Sequence, residues 1–187
     1  MAALAASVKI LIAGGFGVGK TTMVSSISEV APLRTEELIT ELSSGVDDLS
    51  GVEDKTTTTV ALDFGRITID NDLVLYLFGT PGQDRFWFLW DELARGALGA
   101  IVIADTRRLE NAFAAIDYFE RRGLPFVTAV NCFDGAAIYT TGEVREALDL
   151  ESEVPVFLCD VRDRGSSKEA LMILVEYLLS RASPAGM

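Results

Sequence analysis

The stretch Gly14-Gly15-Phe16-Gly17-Val18-Gly19-Lys20-Thr21 decides how this chain of 187 residues folds. It has the form G-x-x-x-x-G-K-T and joins an apolar run, Val8 to Ala13, to a segment of helical period, Lys20 to Val30. Glycines let the backbone curl so that successive N–H groups point at phosphate oxygens, and the helix start adds its positive dipole end. The stretch, called the phosphate loop below, therefore predicts a strand–loop–helix unit that binds phosphate.

Two side chains of the phosphate loop have specific expected tasks. Lys20 should reach the β- and γ-phosphates of a bound nucleotide, where it would also serve catalysis, and the Thr21 hydroxyl should coordinate Mg²⁺. A chance match to the whole pattern is rare in a chain of average composition. We expect the nucleotide to contact Gly15, Phe16, Gly17, Val18, Gly19, Lys20, Thr21 and Thr22.

Apolar runs alternate with segments of helical period, which predicts βαβ units and a mostly parallel sheet. The turn Asn71-Asp72 should join two of the strands as an antiparallel hairpin. We therefore predict an α/β, three-layer fold with six strands and about five helices, as one domain over 1–187 with a flexible tail, 183–187. The predicted strands are Val8–Ala13, Val60–Ile69, Leu73–Phe78, Ala100–Ala104, Phe126–Val130 and Val154–Leu158. The predicted helices include Lys20–Val30, Glu110–Arg122, Glu143–Leu148 and Ser167–Arg181.

The acidic segment Ala31 to Lys55 interrupts this alternation and has few apolar residues. We predict a short helix over Thr35 to Leu42 within it and a functional or disordered loop over the remainder.

Composition limits the chemistry and the partners. The formal net charge is −12, which argues against a nucleic-acid partner because phosphates would be repelled over most of the surface. The chain has no histidine, so Ser–His and Cys–His catalysis are excluded. Cys132 and Cys159 lie in or beside apolar stretches and are predicted to be buried, reduced thiols. The sequence has no apolar run of the roughly 18 residues that a membrane-spanning helix needs, and we expect a cytoplasmic protein.

A second motif, Phe78-Gly79-Thr80-Pro81-Gly82-Gln83, follows a predicted buried strand. Gly82 is placed to offer its N–H group to a γ-phosphate, and Gln83 to orient an attacking water molecule. The alternative is an ordinary β-turn around Pro81-Gly82. Because the motif lies downstream of the phosphate loop, we favour the catalytic interpretation.

A third motif, Asn131-Cys132-Phe133-Asp134, ends the strand Phe126–Val130 and is called the base motif below. The Asp134 carboxylate is suited to accept hydrogen bonds from N1–H and the exocyclic amino group of guanine, a donor pair that adenine lacks. Asn131 would bind the base and brace the phosphate loop. By itself Asn-x-x-Asp is a weak pattern that often only closes a strand.

The threonine run Thr56 to Thr59 precedes the predicted strand at Val60. A hydroxyl from this run would bind Mg²⁺ when a γ-phosphate is present and so order the preceding loop. The alternative is a β-branched start of an edge strand.

With these motifs in order, the chain resembles Ras-like small GTPases along nearly its whole length. More narrowly it is similar to the bacterial branch that includes the gliding-motility GTPase and the GTPases of actinobacterial conservon operons. The resemblance is carried by Leu77 to Phe86 and by Thr59 before Val60-Ala61-Leu62-Asp63-Phe64. It implies a guanine-nucleotide switch that binds GTP or GDP with Mg²⁺, with Thr59 as the switch threonine and Thr58 as the second choice. It also implies that backbone amides of the fifth motif, Cys159-Asp160-Val161, meet the guanine carbonyl, which adds Asp160 and Val161 to the site.

The chain departs from the eukaryotic pattern of that family at Gly79, Cys132 and Phe16. Gly79 stands where an aspartate supports Mg²⁺ through water, and Asp63 and Asp105 are the nearest substitutes. Cys132 replaces a lysine that packs over the base. Phe16 replaces a glycine close to the γ-phosphate, where a bulky side chain would hinder hydrolysis.

These departures predict slow hydrolysis of GTP. In the resembling family, hydrolysis is accelerated by a partner of the roadblock type, and conservon GTPases lie beside a sensor-kinase-like protein. The resemblance therefore implies these partners and a place peripheral to a membrane signalling complex. The apolar cluster Phe86 to Trp90 is interpreted either as a partner-binding face or as helix core.

Two other functions remain open from the sequence. One is a guanine-nucleotide-binding module that scarcely hydrolyses GTP, which Gly79 and Phe16 favour and Gln83 opposes. The other is an adenine-using P-loop kinase or ATPase, which would not depend on Asp134.

Overall fold

A computed structural model describes residues 6–31, 33–38, 59–70, 73–82 and 87–182. Within these residues, helices and strands alternate along the chain except for three consecutive strands after the first helix. The strands are β1 (Ala6–Ala13), β2 (Leu33–Leu38), β3 (Thr59–Asp70), β4 (Leu73–Gly79), β5 (Ala97–Ala104), β6 (Phe126–Asn131) and β7 (Val156–Cys159). The helices are α1 (Lys20–Ile27), α2 (Phe88–Ala94), α3 (Phe113–Arg122), α4 (Thr141–Ala147) and α5 (Arg164–Ala182), with a 3-10 turn at Leu109–Ala112 before α3.

All the strands belong to one sheet in the order β2-β3-β4-β1-β5-β6-β7. Strand β1 lies at its centre and pairs in parallel with β4 and β5, and the parallel pairing continues through β6 to β7. Strands β2 and β3 extend the other edge in antiparallel pairing. This confirms the predicted α/β fold with a mostly parallel sheet. The carboxyl ends of the parallel strands lie on the same side of the sheet, called its carboxyl edge below. Folds of this kind bind their ligands there.

The six predicted strands all form, and β2 joins them in the acidic segment. The helix predicted over Thr35–Leu42 is wrong for Thr35–Leu38, which pair with β3 from Leu62 to Thr59. Hydrogen bonds to a neighbouring strand outweigh a weak local helix preference. The remaining residues of that prediction, 39–42, and the turn Asn71-Asp72 lie outside the described residues.

The core occupies both faces of the sheet. In β1, Ile10 and Ile12 join one cluster with α1 and α5, whereas Leu11 and Ala13 join the other with α2 and α3. Successive side chains of a strand point to opposite faces, so a central strand covered on both sides is apolar throughout. The two clusters, one on each face, produce the predicted three layers.

Two smaller predictions differ from the structure. Helix α1 ends at Ile27 rather than Val30, because Ser28 is extended (ψ 137°) and its hydroxyl donates to the Val30 carbonyl at 2.7 Å. Cys159 is buried as predicted, but Cys132 is exposed because it lies just beyond the end of β6. No helix within the described ranges is long and apolar enough to cross a membrane.

Replacing a core residue of α5 should lower the stability of the whole sheet. Leu171 is 1% exposed and packs in the cluster shared with α1, so Leu171→Ala should reduce the free energy of unfolding by about 2–5 kcal/mol. Met172→Ala, at the exposed neighbouring position, should change it by less than about 0.5 kcal/mol. Urea denaturation followed by circular dichroism measures both, and equal losses would contradict the assigned face of α5.

Candidate functional site

The phosphate loop connects β1 to α1 at the carboxyl edge of the sheet. Gly19 precedes α1 with φ 110°, a left-handed conformation that side chains rarely adopt. A Cβ atom there would approach Val161 Cγ2 at 2.8 Å and Asn131 Nδ2 at 3.0 Å. Glycine is therefore required both by the turn and by the loops packed against it.

Lys20, at the start of α1, is folded back over the phosphate loop. Its ammonium group donates to the carbonyls of Gly14 at 2.9 Å and Gly15 at 2.6 Å, and the residue is only 9% exposed. Burial lowers the pKa of Lys20 to about 8, and the nearby Asp63 carboxylate opposes this shift. A poorly solvated cation beside a glycine loop is suited to bind an anion.

The second motif packs directly onto the phosphate loop. A Cβ atom at Gly82 would lie 2.7 Å from Lys20 Nζ and 2.8 Å from the Phe16 backbone nitrogen. The Pro81 carbonyl accepts a hydrogen bond from Trp90 Nε1 at 3.1 Å, which fixes the segment to α2. The structure thus brings Gly82 against the phosphate loop, whereas Gln83 lies outside the described residues.

A carboxylate reaches the predicted metal position from β3 rather than from β4. The Thr21 hydroxyl donates to Asp63 Oδ2 at 2.5 Å. Because Phe64 pairs with Phe78, the next residues of the two strands, Asp63 and Gly79, are neighbours. A Cβ atom at Gly79 would lie 3.0 Å from Asp63 Cβ, so the glycine makes room for the Asp63 side chain.

The donor set around Thr21 is compatible with Mg²⁺, which prefers hydroxyl, carboxylate and phosphate oxygens. Of the two sequence candidates for the supporting carboxylate, Asp63 contacts Thr21, whereas Asp105 is engaged by Arg107 through Nε at 2.9 Å and Nη2 at 2.8 Å. Thr59 begins β3 opposite Leu38, but its side chain and all of Thr58 lie outside the described residues.

Asn131 links three loops at this edge of the sheet. Its side-chain amide donates from Nδ2 to the Val18 carbonyl at 2.9 Å, and its Oδ1 accepts from the Val161 amide at 3.3 Å. The residue is 5% exposed. The predicted bracing of the phosphate loop by Asn131 is therefore present, and the same side chain fixes the fifth motif.

Asp134, the predicted base-binding carboxylate, is paired with Arg162. Arg162 Nη1 donates to Asp134 Oδ2 at 2.8 Å and Nη2 donates to Oδ1 at 3.1 Å, and the same guanidinium also bonds Asp160. These bonds to Arg162 lower the pKa of both Asp134 and Asp160. Arg162 is not among the residues predicted from the sequence, although its position directly after the fifth motif, between Asp160 and Asp163, was a usable signal.

The backbone amides of the fifth motif also have partners within the chain. The Asp160 N–H group donates to Ser166 Oγ at 3.0 Å, while the Val161 N–H group is held by Asn131. Binding of a base carbonyl at Asp160 would therefore replace an internal hydrogen bond.

Aromatic residues line a cavity beside the phosphate loop. Its volume is about 570 Å³, and its walls include Phe16, Trp87, Trp90 and Asn111. The rings of Trp87 and Trp90 stack at 5.0 Å, with Trp90 2% exposed, whereas Phe88 is 49% exposed. Within the predicted apolar cluster, Trp90 therefore belongs to the helix core and Phe88 to the surface, whereas Phe86 lies outside the described residues.

A glycine loop before a helix, a lysine folded over it and a central parallel sheet define a P-loop nucleotide-binding protein of Ras-like fold. The sequence profile of the family described as "conserved hypothetical ATP binding protein" matches residues 12–181. The chain belongs to that family.

Solved structures show the same fold. The cytosolic domain of the T. maritima FeoB iron transporter in its apo form matches with a TM-score of 0.67 at 18% identity, over 97% of this chain and 67% of that one. Its GDP form I matches with a TM-score of 0.65 at 19% identity, over 93% and 64%.

Two curated relatives align at higher identity. An uncharacterized protein of Methanocaldococcus jannaschii is 29% identical over 72% of this chain and 75% of its own length. A Ras-related protein of Arabidopsis thaliana is 30% identical over 67% of this chain, which spans only 51% of that protein.

The buried Lys20 should make the stability of the nucleotide-free protein depend on pH. Below pH 8 the lysine is charged in both the folded and the unfolded protein, so the cost of burying the charge is fully present. Between pH 8 and 10.5 only the unfolded chain keeps the proton, and stability should rise relative to Lys20→Met. Urea denaturation at pH 7 to 10 measures this difference, with exposed Lys168→Met as the control. A difference that stays constant with pH would contradict the assigned burial.

Proposed function

We propose that this protein is a small GTPase, a guanine-nucleotide-dependent switch that binds GTP and GDP with Mg²⁺ and hydrolyses GTP slowly. The observation that carries the proposal is the Asn131 side chain, which joins the phosphate loop to the two predicted base-binding segments. This contact supports a single site, in which one nucleotide would span Lys20 and Asp134. We assign this function to one domain over 1–187.

Asp134 is the basis for choosing guanine over adenine. A carboxylate accepts two N–H donors from the edge of guanine, whereas adenine presents an unprotonated N1 to it. The family description names ATP, and the T. maritima domain was solved in a GDP form. The donor chemistry at Asp134 favours guanine for this chain.

Thr21 and Asp63 are the residues that would support Mg²⁺, with Thr59 joining when a γ-phosphate is present. The ion, when bound, would neutralise charge on the phosphate oxygens during transfer. In Ras-like GTPases, the aspartate that Gly79 replaces here supports Mg²⁺, and Asp63 would perform this task instead. The close approach of Asp63 to Gly79 is consistent with this replacement. Lys20 would hold the phosphates from the opposite side.

Hydrolysis is assigned to Gln83, which would orient the attacking water, and to Lys20. Gly82 would offer its N–H group to the γ-phosphate. Phe16 is 65% exposed at the edge of the phosphate loop, where it would restrict the water and any arginine supplied by a partner. The complete proposed nucleotide contacts are Gly15, Phe16, Gly17, Val18, Gly19, Lys20, Thr21, Thr22, Thr59, Gly82, Asn131, Asp134, Asp160 and Val161.

Because the intrinsic hydrolysis of GTP would be slow, a partner that accelerates it would control the switch. We extend the proposal to a roadblock-type activator and a sensor-kinase-like complex, as in the conservon branch, with a cytoplasmic protein peripheral to that complex. The exposed Phe88 and the aromatic cavity near the phosphate loop support an activator that binds at α2. A guanine-nucleotide-binding module without hydrolysis is the second candidate, favoured by the position of Phe16.

Removing the Asp63 charge should weaken Mg²⁺-dependent retention of nucleotide. We expect Asp63→Asn to release bound GDP about ten-fold faster than the unsubstituted protein in the presence of Mg²⁺, because a residue supporting a metal typically contributes about 10–100-fold. In EDTA the two proteins should release GDP at similar rates. Asp117→Asn, which removes an exposed carboxylate from α3, is the control. Equal rates for Asp63→Asn and the control in Mg²⁺ would remove Asp63 from the metal site.

The function is tested by incubating the protein with equal GTP and ATP in Mg²⁺, desalting, denaturing and identifying the bound nucleotide by chromatography. Guanine nucleotide should predominate, and Asp134→Ala should abolish that preference. A slow conversion of bound GTP to GDP should be lost in Gln83→Leu, because the orienting amide is removed.

The outcomes separate the candidate functions. Bound GTP that never converts, alone or with an activator, supports the binding module. Bound ATP with no effect of Asp134→Ala rejects the guanine site. Retention of nucleotide by Lys20→Ala at the unsubstituted level would reject the phosphate loop itself.

A further inference from the structure

Asp134, the carboxylate of the proposed guanine site, is already hydrogen-bonded to a side chain of the same protein. Asp134 is exposed over 87% of its side chain, yet both its oxygens accept hydrogen bonds from one guanidinium. Arg162 Nη1 and Nη2 each donate to a different oxygen, at 2.8 Å and 3.1 Å. This is the bidentate arrangement in which an arginine side chain binds both oxygens of a carboxylate.

Guanine would use the same donor pattern at the same edge. Its N1–H and exocyclic amino group are two adjacent N–H donors attached to one carbon, as are the two Nη groups of arginine. The two oxygens of one carboxylate edge can accept only one such pair of N–H donors at a time. Arg162 and a guanine base therefore compete for Asp134.

Arg162 has a second anchor that would retain it after displacement. Its Nε donates to Asp160 Oδ1 at 2.9 Å and its Nη2 to Oδ2 at 2.8 Å. The Arg162 backbone N–H group also donates to Asp160 Oδ1, at 3.0 Å. Rotation away from Asp134 would leave the guanidinium paired, so the displacement costs little.

The exposure of the pair limits its strength. The side chains of Arg162 and Asp134 are 52% and 87% exposed, and pairs this exposed are weak because water and salt screen them. The contact is therefore suited to lower the affinity for nucleotide modestly without blocking the site.

We propose that Arg162 is an affinity-setting residue of the base site, which occupies Asp134 in the nucleotide-free protein and is displaced by a base carrying an N1–H donor. This inference rests on the proposed guanine function. The ligands that displace Arg162 are guanosine and inosine nucleotides. An adenine nucleotide, which presents an unprotonated N1 in place of the N1–H donor, does not displace the arginine.

The test is the binding of GDP, IDP and ADP to the Arg162→Ala protein, measured by stopped flow with ribose-labelled nucleotides. GDP and IDP should bind about two- to five-fold more tightly than to the unsubstituted protein, because the fraction of protein with Asp134 free increases. The gain should lie in the association rate, with dissociation unchanged, and should shrink at high salt. The affinity for ADP should not increase.

Two further variants isolate the contact. Arg164→Ala removes a positive charge from the same segment, where Arg164 donates to the Ser26 carbonyl, and it should not reproduce the gain. In an Asp134→Ala background, Arg162→Ala should give no further gain for GDP, since the competition acts only through that carboxylate.

Unchanged or weaker binding of GDP by Arg162→Ala would overturn the proposal and make Arg162 a residue that positions Asp134. An equal gain for ADP would also overturn it, because the effect would not act through the base. Failure of the guanine function itself is a separate result: the unsubstituted protein would then show no preference for GDP over ADP.

Discussion

The site depends on one buried amide at the carboxyl edge of the sheet. Asn131 ends β6, and its side chain bonds the Val18 carbonyl and the Val161 amide, so that segments far apart in sequence keep fixed relative positions. A buried amide left without partners would cost about 1–3 kcal/mol, which favours closed packing of these loops. Gly19 fits beneath Asn131 only because it has no Cβ atom. The predicted phosphate-binding and base-binding segments therefore share one structural support.

Burial of the Lys20 charge is an unfavourable feature of this arrangement. Lys20 is nearly enclosed, and its lowered pKa records the loss of water around the ammonium group. Two backbone carbonyls and the neighbouring Asp63 compensate only in part. Proteins often accept local destabilisation where a ligand will supply the missing partner, and a phosphate would do so here. The antiparallel pairing of β3 with β4 brings Asp63 beside Gly79, which allows a supporting carboxylate to come from the adjacent strand.

Several groups proposed to meet the nucleotide have partners within the chain. Lys20 bonds carbonyls of the phosphate loop, Arg162 bonds Asp134, and the Asp160 amide bonds Ser166. Binding of nucleotide would therefore exchange one set of hydrogen bonds for another, and the net gain from each exchange is small. At the proposed site, most of the affinity would come from charges that contact phosphate, and the base contacts would act more on selectivity.

The sequence by itself determined the fold class and the positions of the main motifs. The glycine pattern from Gly14 to Thr21 predicted the phosphate loop. The alternation of apolar runs with helical segments predicted the central strands and the place of Asn131. Local chemistry is sufficient for these features, because glycine turns and hydrophobic periodicity act over a few residues.

Tertiary structure decided the rest. Strand β2 exists because β3 offers it hydrogen bonds, and no local pattern within Thr35–Leu38 specified that partner. The contact of Asp63, rather than Asp105, with Thr21 followed from strand register. The pairing of Arg162 with Asp134 followed from the adjacency of β6 and β7. These contacts join residues distant along the chain, so their geometry is fixed only when the sheet has assembled.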